Sequence, residues 1–469
     1  MISKAEQQLA FENLYKRLNE AQRKAVDTIE GPVMVIAGPG TGKTQILGAR
    51  IGKILLETDT APENILCLTY TDAGAIAMRK RLMDFIGTAA YKVTISTFHS
   101  FCNDIIQDNL SLFEKPSLDP ISELEKIALL KELIDQFDKT NPLKRFKGDV
   151  YYEMTNLSKL FSTMKKEGWD VSFLTEQIDQ YIQTIPFRDE FVYQRKYKQF
   201  EAGALKQGLV DDALEKMGKL KAAVAAFDEY QGLMKKHGRY DFDDMINWVI
   251  RAFKENKNLL AQYQERYLYI LVDEFQDTSG TQNELVQLLT NYWEQPNLFV
   301  VGDDDQSIFR FQGANVENML HFQTQFKEDI VNIVLEQNYR STQPILDAST
   351  QVINQNQERL INKIGGLSKN LIASLPENQS IDIAPSILQY NDPQEEMIDI
   401  TEKIAKLIDS GTEPKEIAVL YKEHKYGTEI AHFLQQKNIP IYSRRTANLF
   451  DQILIQQILK ILDYLACEW

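Results

Sequence analysis

Two adjacent carboxylates at the end of an apolar segment are the residues of this chain best suited to chemistry. The segment runs from Tyr267 through Leu-Tyr-Ile-Leu-Val and ends in Asp273 and Glu274. A buried strand that ends in two acids places a ligand for Mg²⁺ and a base for water side by side at the edge of a sheet. We predict that Asp273 holds the metal and that Glu274 polarises an attacking water. A solvated strand end is the structural alternative.

A glycine-rich segment far upstream could bind the phosphates on which such a pair would act. It reads Ala37-Gly-Pro-Gly-Thr-Gly-Lys-Thr44 and lies between a predicted strand and a predicted helix, the context of a P-loop. Glycine lets backbone N–H groups wrap around phosphate oxygens, and the helix N-terminus adds a partial positive charge. Lys43 would reach the β- and γ-phosphates of ATP, and the Thr44 hydroxyl would bind Mg²⁺. A glycine-rich turn with an unrelated lysine is the alternative. The predicted phosphate-binding residues are Gly38, Pro39, Gly40, Thr41, Gly42, Lys43 and Thr44.

Alternating apolar strands and amphipathic helices are predicted to position these groups in a parallel α/β sheet. A helix is expected at residues 73–86. The predicted strands cover residues 33–37, 65–69, 94–97, 267–272, 298–302, 333–335, 417–421 and 439–442.

Residues 103–236 have a different pattern, rich in Lys and Glu and poor in strand signals. Apolar residues recur there every three or four positions, which predicts amphipathic helices. We therefore expect a helical insertion within the α/β domain. The stripe that best shows this spacing is Leu124, Ile127, Leu130, Ile134 and Phe137.

Composition limits the class of protein. A length of 469 residues predicts about three domains. No apolar run reaches the ~18 residues that span a bilayer, and the polar N-terminus lacks the apolar core of a signal peptide, so we expect a cytoplasmic protein. The net charge of −15 argues against non-specific coating of nucleic acid. Residues 271–350 carry 3 Lys and Arg against 13 Asp and Glu, which concentrates the acidity around the predicted metal site.

Several longer motifs resemble the UvrD/PcrA/Rep family of superfamily 1 DNA helicases. The acid pair continues as Asp273-Glu-Phe-Gln-Asp-Thr278. Two further motifs are Val301-Gly-Asp-Asp-Asp-Gln-Ser-Ile-Phe-Arg-Phe-Gln-Gly-Ala314 and Leu335-Glu-Gln-Asn-Tyr-Arg-Ser-Thr342. The resemblance extends in order over nearly the whole chain. Shorter similar segments are Leu18-Asn-Glu-Ala-Gln22, Thr69-Tyr-Thr-Asp72, Ser96-Thr-Phe-His-Ser100 and Tyr240-Asp-Phe-Asp-Asp-Met245.

The resemblance implies roles for four residues around the nucleotide. Gln22 would hydrogen-bond adenine and Tyr339 would stack on it. Gln306 would sense the γ-phosphate and couple it to DNA. Arg340 would be an arginine finger from a second motor domain, which makes hydrolysis depend on domain closure. A helix-surface amide for Gln22, a turn amide for Gln306 and a surface ion pair for Arg340 remain the alternatives.

The resemblance also implies a surface for single-stranded DNA. Aromatic rings stack on bases without sequence preference. Core packing is the alternative for each ring, and a hydrogen bond within its own loop is the alternative for His99. The chain departs from the family at three of its positions, since the family usually has Trp at Phe311, Arg at Gln312 and Arg at Gln45. The predicted DNA-binding residues are Tyr70, Thr97, Phe98, His99, Phe309 and Phe311.

The resemblance implies two RecA-like motor domains. The first would comprise residues 1–102 and 237–329, interrupted by the helical insertion 103–236, and residues 330–469 would begin the second. Motifs typical of the family's final elements do not occur before Trp469, so we expect a truncated protein or a gene fragment.

The function implied is an ATP- and Mg²⁺-dependent DNA helicase or translocase that moves 3′→5′ on single-stranded DNA, in repair, replication or recombination. Its expected partners are single-stranded DNA and junctions of single and double strands, with no membrane and with protein partners left open. The alternatives are a motor subunit of a helicase–nuclease complex and a DNA-binding fragment that does not unwind. A small-molecule kinase would explain the P-loop but not residues 301–314.

Overall fold

The computed structural model describes residues 4–113, 118–144, 148–307, 317–443 and 453–468. The chain divides into two compact units, residues 1–384 and residues 385–469. Its strands are β1 Val33–Ala37, β2 Ile65–Thr69, β3 Thr94–Thr97, β4 Asp119–Pro120, β5 Arg239–Tyr240, β6 Tyr269–Val272, β7 Leu298–Gly302, β8 Val331–Leu335, β9 Gln337–Asn338 and β10 Ile372–Ala373.

The α-helices alternate with these strands, except in the segment between β3 and β6, where helices predominate. Their bounds are α1 Lys4–Tyr15, α2 Glu20–Asp27, α3 Lys43–Glu57, α4 Asp72–Ile86, α5 Phe98–Asp108, α6 Glu123–Gln136, α7 Met154–Glu167, α8 Val171–Thr184, α9 Gln207–Ala225, α10 Phe227–Lys236, α11 Phe242–Glu255, α12 Lys257–Arg266, α13 Gly280–Thr290, α14 Glu317–Gln325, α15 Gln343–Ile353, α16 Leu360–Lys363, α17 Pro376–Gln379, α18 Pro393–Asp409, α19 His424–Gln436 and α20 Ile453–Glu468.

The first unit is built on a six-stranded parallel sheet in the order β3-β2-β6-β7-β1-β8. Successive side chains of a strand point to opposite faces, and a parallel sheet is covered by helices on both. Met34 and Ile36 of β1 accordingly pack in the core on one face, while Val33, Val35 and Ala37 pack in the core on the other. This arrangement confirms the predicted α/β fold.

The carboxyl ends of β1, β6 and β7 lie next to one another in the sheet, with β7 between the other two. Because all three strands are parallel, the segments that follow them emerge at one edge. The glycine-rich segment follows β1, the acid pair follows β6, and Asp303 follows β7. The sheet therefore brings three sequence motifs to a single place.

Two predicted domain boundaries differ from the structure. β8 pairs with β1 along its whole length, so residues 331–335 complete the first sheet rather than begin a second domain. The boundary at 103 falls inside α5, whose Phe101, Ile105 and Ile106 pack in the core of the first sheet. In both places a sequence pattern marks an element but does not show which core the element joins.

The helical insertion has a hydrophobic core of its own, to which α6, α7 and α10 contribute. Leu130, Ile134 and Phe137 of the predicted stripe are buried, but Leu124 is 80% exposed and Ile127 is 38% exposed. The start of α6 does not pack against a core, so its apolar residues Leu124 and Ile127 stay exposed despite their helical spacing. The buried residues of α6 are Leu129, Leu130, Leu133 and Ile134.

The second unit contains α18, α19 and α20 in its described part. Met397 and Ile404 of α18 pack against Ile430 and Leu434 of α19. The two strands predicted here were wrong: residues 417–421 and 439–442 form neither a ladder nor a bridge. A strand needs a neighbouring strand for its backbone hydrogen bonds, and sequence alone does not supply one.

Among the described residues, no helix combines the length and the apolar character needed to cross a membrane.

Candidate active site

The glycine-rich segment forms a tight loop between β1 and α3. Gly40 has φ +73° and Gly42 has φ +89°, backbone conformations that favour glycine. Gly42 caps the N-terminus of α3, and the next residue, Lys43, begins the helix. A helix N-terminus with a lysine in its first turn is suited to hold phosphate.

Lys43 contacts the acid pair directly. Its Nζ lies 2.6 Å from Glu274 Oε2. The loop of Lys43 follows β1 and Glu274 follows β6, and β7 lies between these two strands in the sheet. The Glu274 backbone has φ +49°, an uncommon left-handed conformation for a residue with a side chain. Local strain of this kind is concentrated at functional sites. The strand tip is thus shaped to aim this carboxylate at the P-loop lysine.

Asp273 directly follows β6 and is partly buried, and its Oδ1 accepts a hydrogen bond of 2.9 Å from the Glu274 N–H. Burial, together with the negative charge of Glu274, raises the pKa of Asp273 to about 6. The same two causes raise the pKa of Asp277 to about 6, and Asp277 Oδ1 is buried without a partner among the described residues. Three crowded carboxyls beside one lysine form a site that favours an added cation. The unpartnered Asp277 Oδ1 and the oxygen chemistry of these side chains fit Mg²⁺, and Asp273 and Thr44 stay its predicted ligands.

Two glutamines connect the acid pair to the loop after β7. Gln276 donates to Glu274 Oε2 at 3.0 Å and accepts from the Asp303 N–H at 2.9 Å. Gln306 in turn donates to Asp303 Oδ2. A Cβ at Gly302 would lie 2.6 Å from Gln276 Oε1, so glycine is needed for this approach. Gln306 is therefore linked to Glu274 through a short chain of side-chain contacts.

Residues 338–340 lie against the P-loop. The Tyr339 N–H donates to the Gly40 carbonyl at 2.9 Å, and the Asn338 amide donates to the Pro39 carbonyl. A Cβ at Gly40 would lie 2.6 Å from Arg340 Cβ. The structure thus brings Tyr339 and Arg340 to the predicted nucleotide site, and the Arg340 side chain is exposed there.

Gln22 also reaches the P-loop. It is buried, and its Nε2 donates to the Thr41 carbonyl at 2.8 Å. The helix-surface alternative is therefore wrong. Asn19 caps the same helix and donates to the Tyr339 hydroxyl at 2.9 Å. These contacts place the predicted adenine-binding residues Gln22 and Tyr339 on one side of the P-loop, although adenine binding itself stays a prediction.

Three residues of the site had no role predicted from sequence: Asn19, Gln276 and Asn338. Each lies inside a motif that the sequence singled out, which is the only signal that could have found them. Asn338 bonds only to backbone groups, because its Oδ1 also accepts from the N–H groups of Arg340 and Ser341 at 2.8 and 2.7 Å. An amide that binds three backbone groups orders this segment.

The predicted DNA-binding residues Tyr70, Phe98 and His99 border one cavity of about 220 Å³. Tyr70 is 37% exposed, and the His99 Nε2 lies 3.7 Å from Asp243 Oδ1, too far for a hydrogen bond. Asp243 and Asp277 line the same cavity. Lys166 lines it as well, so groups of both charges border the cavity.

The remaining predicted DNA contacts have other surroundings. Phe98 is only 2% exposed and packs in the core, as the alternative stated. Thr97 caps α5 by accepting from the Ser100 N–H at 3.2 Å. Phe309 and Phe311 lie outside the described residues.

Comparison with known proteins agrees with this geometry. The family model described as "UvrD/REP helicase N-terminal domain" matches residues 18–327, and that of the "UvrD-like helicase C-terminal domain" matches residues 333–468.

Individual relatives match along almost the whole chain. The "ATP-dependent DNA helicase PcrA" of Staphylococcus epidermidis is 29% identical over 457 residues, which are 97% of this chain and 54% of that protein. The "Putative ATP-dependent DNA helicase YjcD" of Bacillus subtilis is 31% identical over 456 residues, which are 95% of this chain and 51% of that protein. The chain spans about half the length of these curated relatives. The N-terminal domain model matches more than half of the residues of this chain, and the chain therefore belongs to the UvrD/Rep helicase family.

Proposed function

We propose that this chain is an ATP-hydrolysing motor that moves 3′→5′ along single-stranded DNA. The observation that carries the proposed ATP hydrolysis is the contact between Lys43 and Glu274. Gln306 is linked to Glu274 through Asp303 and Gln276, and Arg340 lies beside Gly40 of the P-loop. The name "ATP-dependent DNA helicase" in the descriptions of its relatives supports the use of ATP and the action on DNA, and the direction follows from the resemblance of the motifs. Such a protein would work in the cytoplasm, in repair, replication or recombination.

The P-loop would bind the phosphates of ATP through its backbone N–H groups and Lys43. Those phosphates would compete with Glu274 for the Lys43 ammonium, because the two groups are now 2.6 Å apart. ATP binding would thereby free the Glu274 carboxylate to orient water for attack. When bound, Mg²⁺ would neutralise phosphate charge at Asp273 and Thr44.

Gln306 and Arg340 would contact the nucleotide only in particular states of the ATPase cycle. Arg340 would stabilise the charge that develops on the transferred phosphoryl group. Gln306 would exchange its contact with Asp303 for one with the γ-phosphate. Gln22 and Tyr339, which both contact the P-loop, would bind adenine.

DNA would bind as a single strand, with junctions of single and double strands as the physiological targets. A base would enter the cavity beside Tyr70 and His99, since the Tyr70 ring is exposed there and can stack on a base. Stacking on an exposed ring contributes roughly 1–3 kcal/mol per base. Phe309 and Phe311 remain predicted contacts.

We also propose that residues after β8 form the first part of a second RecA-like motor domain. The match of a UvrD-like C-terminal domain model to residues 333–468 supports this division. The helical insertion, with its separate core, would be an accessory domain of the first motor domain.

Lys43→Ala tests the site. We expect it to abolish DNA-stimulated ATP hydrolysis, because the variant loses the cation that contacts the phosphates. Lys92→Ala is the matched control, since Lys92 pairs with Glu63 at the surface, away from the P-loop. Persistent hydrolysis in Lys43→Ala would refute the assignment.

Polarity and unwinding need a second assay. Partial duplexes with a 3′ or a 5′ single-stranded tail are incubated with ATP, and strand displacement is measured. Displacement that needs the 3′ tail supports the proposed direction. ATP hydrolysis without displacement would instead favour a translocase or a subunit of a larger motor, and a preference for the 5′ tail would contradict the direction.

A further inference from the structure

A buried lysine, Lys369, lies among three consecutive aspartates. Its Nζ contacts Asp303, lies 2.9 Å from Asp304 Oδ1 and lies 2.8 Å from Asp305 Oδ2. The lysine side chain is 1% exposed, and those of the first two aspartates are 0% and 1% exposed. Charges removed from water in this way are stable only when they are paired. The four residues must therefore stay together for the fold to tolerate them.

A second cation completes the cluster. Arg359 grips Asp305 with two hydrogen bonds, from Nε at 2.7 Å and from Nη2 at 2.9 Å. The backbone N–H of Leu360 donates to Asp304 Oδ2 at 2.7 Å. Three aspartates at one place could suggest a metal site, but the Lys369 ammonium occupies the position between them. The cluster joins two chain segments instead.

One of those segments carries Gln306. Asp303 accepts from Gln306 and, through its N–H, donates to Gln276, which contacts Glu274. The position of the aspartates thus sets the position of the predicted γ-phosphate sensor.

The other segment leads to Arg340. Leu371, two residues after Lys369, packs on the P-loop, since a Cβ at Gly38 would lie 2.8 Å from its side chain. The next two residues form β10, which pairs with β9 directly before Tyr339 and Arg340. Lys369 therefore lies between the loop of Gln306 and the strand pair that carries Arg340.

We propose that Lys369 is a positioning residue for ATP hydrolysis. It fixes the position of Gln306 relative to that of Arg340 at the nucleotide site. The inference rests on the proposed function. Lys369 does not touch the P-loop phosphate-binding groups in this arrangement. Its loss should therefore impair the step that needs Gln306 and Arg340 more than it impairs ATP binding.

Lys369→Met and Lys369→Arg in the full chain test this role. ATP hydrolysis is measured over a range of ATP concentrations, with and without oligothymidylate, and thermal unfolding is followed for each variant. We expect Lys369→Met to lower kcat by roughly ten- to hundredfold, the effect of slightly misplaced reacting groups. KM for ATP should change by less than about threefold, because groups that act in the transition state govern kcat. Lys369→Arg, which keeps the charge, should recover part of kcat.

Lys165→Met is the matched control for stability. Lys165 is equally buried and pairs with Asp241 and Asp244, at 2.7 and 2.9 Å, away from the P-loop. It should lower the unfolding temperature as Lys369→Met does, but leave the kcat measured without oligothymidylate near that of the wild type. Lys363→Met, at a surface pair with Glu358, controls for loss of a nearby lysine.

Two results would overturn the inference. The first is a folded Lys369→Met variant with the kcat of the wild type. The second is an equal loss of kcat in Lys165→Met, which would make the effect one of stability. Failure of the proposed function is a separate outcome: the wild type would then lack DNA-stimulated hydrolysis, or Lys43→Ala would keep it, and the inference would fall with it.

Discussion

At the scale of single residues, the site depends on one carboxylate held in a strained backbone conformation. Glu274 has φ +49°, and its Oε2 lies 2.6 Å from Lys43 Nζ. Such a conformation persists only where the surroundings over-determine it. Here β6 anchors one side and the contact with Gln276 anchors the other. The contacts at the end of β6 therefore hold Glu274 in this conformation, which a solvated strand end would not need.

Glu274→Gln should separate ATP binding from hydrolysis. The amide keeps the shape but cannot act as a base, so we expect kcat to fall by roughly 10²–10⁴-fold. Binding of a fluorescent ATP analogue should persist, because Lys43 and the loop are unchanged. Glu63→Gln, at the surface pair with Lys92, is the control. A kcat within about threefold of the wild type would contradict the role of Glu274 as base.

Gly40→Ala should disable the P-loop. An added Cβ would meet Arg340 Cβ at 2.6 Å, and φ +73° disfavours any side chain. Gly31→Ala is a matched control, with φ +75° and nothing within 4 Å of its Cβ. Both substitutions cost about 1–2 kcal/mol of backbone strain. Only Gly40→Ala should also weaken nucleotide binding, measured by titration with the fluorescent analogue; equal binding by both variants would argue against close packing at Gly40.

At the scale of elements, the loop after β7 is held by charges from a distant segment. Burial disfavours the charged form of Asp305, but hydrogen bonds from Arg359 and the charge of Lys369 outweigh it and lower the pKa of this carboxyl below 3.8. Burial also opposes the charge of Lys369, yet the three aspartates outweigh that effect and raise the pKa of the lysine. Each charge thus depends on its partners.

Asp305→Asn should cost stability in a pH-dependent way. A carboxyl whose pKa is lowered by folding stabilises the fold above its unfolded value of 3.8 and loses that effect as pH falls through the folded value. The free energy of unfolding of the variant should therefore be lower by about 3 kcal/mol near neutral pH. The difference from the wild type should shrink as the pH falls below 3.8 and through the lowered pKa of the folded state. Urea titrations at each pH measure it, and a difference independent of pH would contradict the ionised state of Asp305.

At the scale of the whole molecule, every described residue of the proposed nucleotide site lies in the first unit, residues 1–384. Residues 381–389, which include the end of that unit, are exposed and lack regular structure. A boundary of this kind is typical between units that fold separately.

The fragment 1–384 should fold alone and bind ATP. We expect its affinity for the fluorescent analogue to remain within about threefold of the full chain, less than 1 kcal/mol. The same fragment with Lys43→Ala is the negative control. A fragment that unfolds without cooperativity, or that does not bind the analogue, would show that residues 385–469 are needed for the site.

The sequence by itself determined the local chemistry and the elements that carry it. Strands β1, β2 and β7 were predicted with their observed bounds, because a buried parallel strand is a continuous apolar run that can be recognised without its neighbours. The bounds of β3 were also predicted, although only alternate residues of this strand are buried. The P-loop and the acid pair were also evident, since their chemistry depends on residue types at fixed spacing. Predictions failed where the partner of an element mattered, as for the unpaired residues 417–421 and the exposed Leu124.

Only the tertiary structure decided which residues meet. Lys43 and Glu274 are 231 positions apart, and their contact follows from the strand order β6-β7-β1, which no spacing in the chain reveals. The burial of Lys369 among Asp303, Asp304 and Asp305 is another such result, because a lysine outside every recognised motif carries no signal of its own. Contacts of this kind depend on the folding of distant segments onto one sheet edge, whereas motifs depend only on neighbours in the chain.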